Sequence, residues 1–201
     1  MTRMGASMGR PREFDEQQAL GAALERFWEK GFEATSLADL TECMGLQKGS
    51  LYGAFGDKRQ LYLSALARYQ DEALGTIARA LAAEGSPREA LRAFFAEAVA
   101  RSASRDGPRG CLCVNTAVEL APHDDEIARG LRKHGERVEA LFQQLIERGQ
   151  ARGEFTTRLE ARAAARFLGG LLYGLGVLAK TRPGRGRLED IVRVGLSALE
   201  A

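Results

Sequence analysis

The stretch from Thr35 to Lys58, TSLADLTECMGLQKGSLYGAFGDK, contains signals for two short helices separated by a glycine. Ser36 can cap the first helix, and the pattern ends that helix at Gly45, because glycine adopts a left-handed conformation without steric cost. The second helix is predicted from about Gln47 to Phe55. Two short helices joined by a glycine turn are typical of a helix-turn-helix, in which the second helix leaves at a steep angle.

The outward face of the second short helix is predicted to be polar and to carry small residues. The leucines of the stretch and Phe55 can pack inward against the preceding helix, which leaves a surface narrow enough to enter the major groove of DNA. This surface comprises Gln47, Lys48, Ser50, Tyr52 and Gly53. The alternative is a structural helical hairpin inside an all-α protein.

The rest of the chain also has a helical pattern, because apolar residues recur at intervals of three and four and β-branched residues are sparse. We expect an all-α fold of about nine helices, with the last helix over 188–199. Residues 1–60 would form a three-helix helix-turn-helix domain. Residues 61–201 would form a helical ligand-binding and dimerisation domain.

Composition limits the class of protein. The 201 residues include 29 Lys and Arg against 27 Asp and Glu, so the net charge of +2 excludes a polycationic nucleic-acid coat. The three cysteines cannot all pair within one chain, which favours a reducing compartment. No apolar run approaches the length of a membrane span. We therefore expect a cytoplasmic protein without a membrane partner, and the sequence gives no sign of a cofactor.

The stretch from Thr35 to Lys58 resembles the DNA-binding domain of the TetR family of bacterial repressors. Beyond residue 60 the resemblance rests mainly on the number and length of the helices. It implies a homodimer whose C-terminal helices bind a small molecule that releases double-stranded operator DNA. It also implies that four residues hold phosphates, namely Thr35, Ser36, Tyr52 and Lys58, and that four face base edges, namely Gln47, Lys48, Gly49 and Gly53. The family commonly has Ser or Thr at the position of Gln47, so we predict no operator sequence.

A second unusual segment is GCLCVNTAVEL at residues 110–120. On a helix, Cys111, Asn115 and Glu119 step by four and share one face, whereas Cys113 points elsewhere. The Gly-Cys-x-x-x-Asn pattern resembles a TetR subgroup, some members of which respond to reactive electrophiles through a cysteine. The alternative is that Cys111 is a small buried apolar residue and that Asn115 and Glu119 tie neighbouring helices together. A metal site on Cys111 and Cys113 is disfavoured, because thiols two residues apart on a helix diverge.

An effector pocket is expected among the inward faces of the fourth to eighth helices, although such apolar stripes are more often core. The candidate ligand-binding residues are Tyr69, Phe94, Phe95, Cys111, Asn115, Glu119, Phe142, Phe167 and Leu171. Four glycines inside the eighth helix should be compensated by close approach of another backbone. We favour a dimer interface made by the eighth and ninth helices, and tight packing within one chain is the alternative.

These features predict a ligand-responsive transcriptional repressor, released from a palindromic operator by a small molecule or by thiol modification. Two alternatives are a thiol-dependent enzyme using Cys111 and a helical adaptor without DNA binding. The enzyme is disfavoured, because the sequence shows no set of nucleophile, base and orienting group.

Overall fold

The computed structural model describes residues 14–82 and 84–200. Within them the chain forms nine α-helices and one short 3₁₀ turn, Gly107–Arg109, with no strand, which confirms the all-α prediction. The α-helices are α1 (Glu16–Lys30), α2 (Leu37–Met44), α3 (Lys48–Phe55), α4 (Lys58–Leu81), α5 (Pro87–Ser102), α6 (Leu112–Glu119), α7 (Asp125–Ala151), α8 (Ala161–Ala179) and α9 (Arg185–Ser197). Three arginines precede α1 without an acidic residue between them and could form either a DNA-contacting arm or a solvated terminus; Arg3, Arg10 and Arg12 lie outside the described residues.

Local capping explains why the helix-turn-helix forms where the sequence predicts it. Ser36 accepts a hydrogen bond from the backbone nitrogen of Asp39, whose carboxylate accepts one from the backbone nitrogen of Ser36, so α2 begins with a complete capping box. Gly45 ends α2 in the left-handed region at φ 64°. Asp57 then caps α4 by accepting from the backbone nitrogen of Gln60. Each boundary therefore rests on a local hydrogen bond or on a glycine.

The start of α9 differs from the sequence prediction. The helix begins at Arg185 and not at Leu188, because Gly184 takes the cap position directly after Pro183. The arginines that follow are good helix formers. Arg185 and Arg187, which the sequence pattern leaves before the last helix, therefore lie in its first turn.

Two hydrophobic cores hold the fold together. The N-terminal core joins α1, α2, α3 and the first half of α4, and it also contains Leu112 and Cys113 of α6. The C-terminal core joins the second half of α4 to α5, α7, α8 and α9. α4 thus enters both cores, and α6, which lies beyond residue 60 in the chain, contributes to the N-terminal core.

Some glycines of α8 and α9 allow close packing within the chain, and others face open space. A Cβ atom on Gly176 would lie 3.0 Å from Cβ of Cys111, so this glycine lets the segment before α6 pack against α8. In α9, a Cβ on Gly195 would lie 3.0 Å from a methyl of Leu171. A Cβ on Gly170 or Gly174, in contrast, would meet no described residue within 4 Å. The close approach of another backbone, expected at the glycines of α8, is thus partly provided by residues of the same chain.

Candidate functional site

The outer face of α3 is exposed and has room for a ligand. Gln47 precedes the helix in an extended conformation, and Lys48, Gly49, Ser50, Tyr52 and Gly53 are all exposed. A Cβ on either glycine would meet no described atom within 4 Å. The Lys48 ammonium lies 5.8 Å from the centroid of the Tyr52 ring, and 40% of Tyr52 is exposed. The structure thus brings these predicted residues together on one surface.

Ser36 and Lys58 lie on either side of the loop between α1 and α2. Ser36 is exposed at the start of α2, and its hydroxyl donates to the carboxylate of Asp39 at 2.7 Å. The Lys58 ammonium lies 4.4 Å from the centroid of the Phe32 ring and 3.5 Å from the carbonyl oxygen of Glu33. Hydroxyls at helix starts and lysine ammonium groups are both common phosphate contacts in protein–DNA complexes.

Thr35 differs from the prediction. Its side chain is fully buried, and its hydroxyl donates to the carbonyl oxygen of Gly31 at 2.6 Å. A threonine hydroxyl commonly bonds to the carbonyl four residues earlier. Thr35 therefore fixes the turn between α1 and α2, and its hydroxyl is not presented to a phosphate.

Glu119, expected to face a ligand, holds the helix-turn-helix. Its carboxylate accepts hydrogen bonds from the backbone nitrogens of Phe32 at 3.0 Å and Glu33 at 2.9 Å. A Cβ on Gly31, whose φ is +82°, would lie 3.0 Å from the Glu119 carboxylate, so the glycine gives the carboxylate access to the loop. This correction arises because the C-terminal end of α6 lies against the α1–α2 loop.

Other contacts tie the α6 region to the N-terminal core, and sequence reasoning did not find them. The hydroxyls of Tyr62 and Thr116 share a buried hydrogen bond of 2.7 Å between α4 and α6. The Trp28 indole donates to the carbonyl oxygen of Gly110 at 3.2 Å, and the Arg109 guanidinium lies 4.3 Å from the centroid of the Trp28 ring. Each pair joins residues far apart in the chain, so no local sequence pattern predicts these contacts.

Cys111 lies just before α6 as its N-cap, in an extended conformation with φ −102° and ψ 127°. The residue is half-buried, and the hydroxyl of Tyr69 donates to its sulfur at 3.5 Å. The Cys113 thiol, and then the Tyr69 hydroxyl, stabilise the Cys111 thiolate and hold the pKa of Cys111 below its ordinary value despite burial. Burial instead raises the pKa of Cys43.

The expected arrangement of the α6 side chains needs two corrections. Cys111 lies outside the helix, so it does not share a helical face with Asn115 and Glu119. The second concerns Cys113, which was expected to point elsewhere but whose thiol affects the pKa of Cys111 and is affected by it. Asn115 donates to the carbonyl oxygen of Arg109 at 3.0 Å and leaves its buried Oδ1 without a hydrogen-bond partner. In residues 14–82 and 84–200, no cluster of three His, Cys, Asp or Glu side chains could hold a metal.

The aromatic residues expected to line a pocket have other positions. Phe94, Phe95 and Phe142 are buried and pack against one another with ring centroids 5.2 to 6.0 Å apart, so they fill the C-terminal core. Phe167 is 47% exposed, and with Leu171 it packs against Gly195 of α9. An open cavity of about 310 Å³ lies elsewhere, between α5 and α9.

Family models match both parts of the chain. The family described as "Bacterial regulatory proteins, tetR family" matches residues 19–65, and "Tetracyclin repressor-like, C-terminal domain" matches residues 87–193. The chain belongs to the TetR family. This TetR-family chain is 36% identical over 194 residues to the uncharacterized HTH-type transcriptional regulator YezE of Bacillus subtilis (strain 168), covering 96% of the chain and 100% of YezE. It is 36% identical over 175 residues to the HTH-type transcriptional repressor ComR of Escherichia coli (strain K12), covering 87% of the chain and 83% of ComR.

A solved structure agrees with this assignment over most of the TetR-family chain. A cysteine mutant of the TetR family transcriptional regulator CifR, complexed with 26-bp double-strand operator DNA, superposes with a TM-score of 0.83 at 37% identity. The match covers 94% of this chain and 99% of the CifR chain. The chain is thus a TetR-family transcriptional regulator and not an enzyme, as predicted. No helix in the described parts is long and apolar enough to cross a membrane.

Proposed function

We propose that this TetR-family regulator is a homodimeric repressor that binds a palindromic operator through α3 and is released when an effector acts near α6. The DNA-binding part is supported by the exposed α3 face and by the similarity to CifR, whose structure contains operator DNA. Two α3 helices related by a dimer axis would contact half-sites about one helical turn of DNA apart.

The DNA contacts proposed for each subunit fall into two groups. Ser36, Tyr52 and Lys58 would contact phosphates, because two hydroxyls and an ammonium lie at the edges of the exposed α3 surface. Base edges would face the residue before α3 and four exposed residues of the helix. Those residues are Gln47, Lys48, Gly49, Ser50 and Gly53.

The observation that carries effector control is the position of α6 between the two parts of the molecule. Leu112 and Cys113 pack in the N-terminal core, while Glu119 binds the α1–α2 loop. A shift of α6 would therefore change the packing of the helix-turn-helix. An effector that binds the shifted state more tightly than the unshifted state would favour the shifted state and so lower the affinity for DNA. The size of this effect is limited by the difference between the effector's affinities for the two states.

The Cys111 thiol is the group at which we propose that a reactive effector acts, as the Gly-Cys-x-x-x-Asn pattern suggested. The lowered pKa of Cys111 favours the nucleophilic thiolate, and the residue is only half-buried. Tyr69 and Asn115 border it and would contact a bound small molecule. The 61–201 domain would also dimerise through α8 and α9, where Phe167, Val177 and Val194 are exposed apolar side chains.

The test is operator affinity before and after alkylation. A DNA fragment from the region next to the coding sequence is labelled, and binding is followed by fluorescence anisotropy with the Cys43→Ser variant. We expect salt-dependent binding that alkylation of Cys111 with N-ethylmaleimide weakens at least several-fold, and no effect of the reagent once Cys111→Ser is added. Undiminished affinity after complete alkylation would refute thiol control, and no binding at low salt would refute the repressor.

A further inference from the structure

We propose that Cys113 is the resolving thiol of Cys111, so that oxidation by a hydroperoxide joins the two cysteines in a reversible disulfide at the start of α6. The effect of this disulfide on DNA rests on the proposed function, but its formation does not. The segment is thus a modification site with two thiols, of which the first attacks the oxidant and the second closes the bond.

The geometry at the start of α6 brings the two sulfurs within reach of each other. Cys111 is the N-cap and Cys113 the second residue of the helix, and helix geometry puts Cα atoms two positions apart at about 5.4 Å. Disulfides span Cα separations of about 4.4 to 6.8 Å. The extended backbone of Cys111 takes its side chain off the helical path, and the two thiols perturb each other's pKa.

The surroundings of the two thiols differ, and the difference assigns their roles. Cys111 is partly exposed and receives a hydrogen bond from the Tyr69 hydroxyl, whereas Cys113 is only 4% exposed. The neighbouring Cys111 sulfur and burial both raise the pKa of Cys113, so this residue remains a thiol while Cys111 ionises. The accessible thiolate meets the oxidant first, and the buried thiol is held next to it.

The proposed reaction has two steps. The Cys111 thiolate attacks the terminal oxygen of a hydroperoxide, an S–O bond forms, the O–O bond breaks, and the alkoxide leaves and takes up a proton as an alcohol. The sulfur of Cys113 then attacks the sulfenic sulfur of Cys111, an S–S bond forms, the S–O bond breaks, and the hydroxide leaves with the thiol proton as water. Two thiols are oxidised while the peroxide is reduced to alcohol and water.

The disulfide would alter the contacts that hold α6 to the rest of the molecule. Cys113 belongs to the N-terminal core, so its movement toward Cys111 would disturb packing beneath the helix-turn-helix. Tyr69 would lose the thiolate that it stabilises, and the Gly110 carbonyl that accepts from Trp28 lies one residue away. A tight ring of this kind is strained, and strained disulfides are readily reduced.

The experiment treats the reduced full-length protein with hydrogen peroxide, alkylates the remaining thiols and analyses tryptic peptides by mass spectrometry. Both cysteines lie in the peptide covering residues 110–129, and Cys43 lies alone in that covering residues 31–48. We expect the first peptide to lose two hydrogen atoms and to regain two alkylation sites after dithiothreitol, while Cys43 stays alkylatable. Cys43→Ser should leave this result unchanged, and Cys113→Ser should leave a sulfenic or sulfinic acid on Cys111.

Other products would overturn the inference. A disulfide between subunits, or a sulfenic acid that persists on Cys111 while Cys113 remains alkylatable, would show that Cys113 does not resolve. Either result would leave the proposed repressor intact if oxidation still released DNA. If the internal disulfide forms and operator affinity is unchanged, the inference holds and thiol control of DNA binding fails.

Discussion

The carboxylate of Glu119 at the end of α6 accepts a hydrogen bond from the backbone nitrogen of Phe32, 87 residues earlier, at 3.0 Å. With the neighbouring amide of Glu33, this contact ties the turn between α1 and α2 to the helix that begins at Cys111 and Leu112. A carboxylate that accepts two backbone hydrogen bonds replaces the water those amides would otherwise bind. The orientation of α2, and with it that of α3, thus depends on α6.

Replacing Glu119 by alanine should weaken DNA binding without a change in the DNA-facing surface. We expect a free energy of unfolding lower by about 1 kcal/mol, because two amides lose a charged acceptor at a partly exposed site. Urea unfolding and anisotropy with the same DNA fragment measure the two effects. Glu136→Ala, an exposed glutamate on α7, is the matched control. Equal affinities of the two variants would contradict a role of Glu119 in positioning the helix-turn-helix.

Lys58→Ala tests the phosphate contact proposed at the start of α4. Each lysine–phosphate contact contributes about 0.9 to the slope of log affinity against log salt, so a dimer should lose about 1.8. The slope is measured between low and physiological salt, with Lys133→Ala on the exposed face of α7 as control. If Lys58 serves only its contact with the Phe32 ring, stability will fall and the slope will stay the same.

Gly53→Ala should separate stability from DNA binding. A methyl group at this position of α3 meets no described atom within 4 Å, so the helix should gain about 0.5–1 kcal/mol in unfolding free energy. The same methyl would occupy space proposed for a base edge, and affinity should fall by roughly tenfold. Gly130→Ala, which is equally open on α7, should give the stability gain alone. If the Gly53→Ala variant binds DNA as tightly as the unmodified protein, Gly53 does not face a base edge.

The reactivity of two cysteines should diverge as the pH falls. Alkylation proceeds through the thiolate. A cysteine with a lowered pKa therefore keeps a high alkylation rate as the pH falls, whereas a cysteine with a raised pKa loses its thiolate, and with it the rate, at a higher pH. Cys111 has the lowered value and Cys43 the raised value. Timed iodoacetamide labelling from pH 6 to pH 9, quantified on the two tryptic peptides, should show Cys111 reacting faster throughout, most clearly at the acid end. Parallel profiles would contradict the stabilisation of the Cys111 thiolate.

The dimer proposed through α8 and α9 predicts which charged substitutions produce monomers. Arginine at Phe167 or Val194 would place a charge in an interface that buries these exposed apolar side chains. Light scattering after size exclusion should then show half the mass of the unmodified protein. Val118→Arg is the control, because Val118 is 75% exposed and apolar but lies on α6. A monomer from the control, or dimers from both test variants, would place the interface elsewhere.

The sequence was most informative where structure depends on neighbours in the chain. Ser36, Gly45 and Asp57 mark helix boundaries through contacts within a few residues, and the exposed α3 face follows from the same boundaries. The role of Thr35 could be misjudged, because a hydroxyl at a helix start suits both a phosphate and a carbonyl four residues back.

Long-range contacts account for the errors around α6. The spacing of Cys111 and Glu119 predicts a shared helical face, but it cannot show that helix formation begins one residue after Cys111. It also cannot show that the far end of the helix meets a loop 87 residues earlier. The same limitation applies to Phe94 and Phe142, because residues of a core and residues of a pocket wall produce the same apolar pattern in the sequence.

The presence of Leu112 in the N-terminal core has a consequence for domain grafting. Leu112 is 1% exposed within this core, so a fragment that contains α1 to α4 but not α6 would carry a leucine-sized hole. Loss of a buried leucine costs about 2–5 kcal/mol, which is a large share of the stability of a domain this small. A chimera that transplants these DNA-contacting helices onto another regulator would therefore need to carry α6 with them, or to supply a leucine from the recipient at the same place.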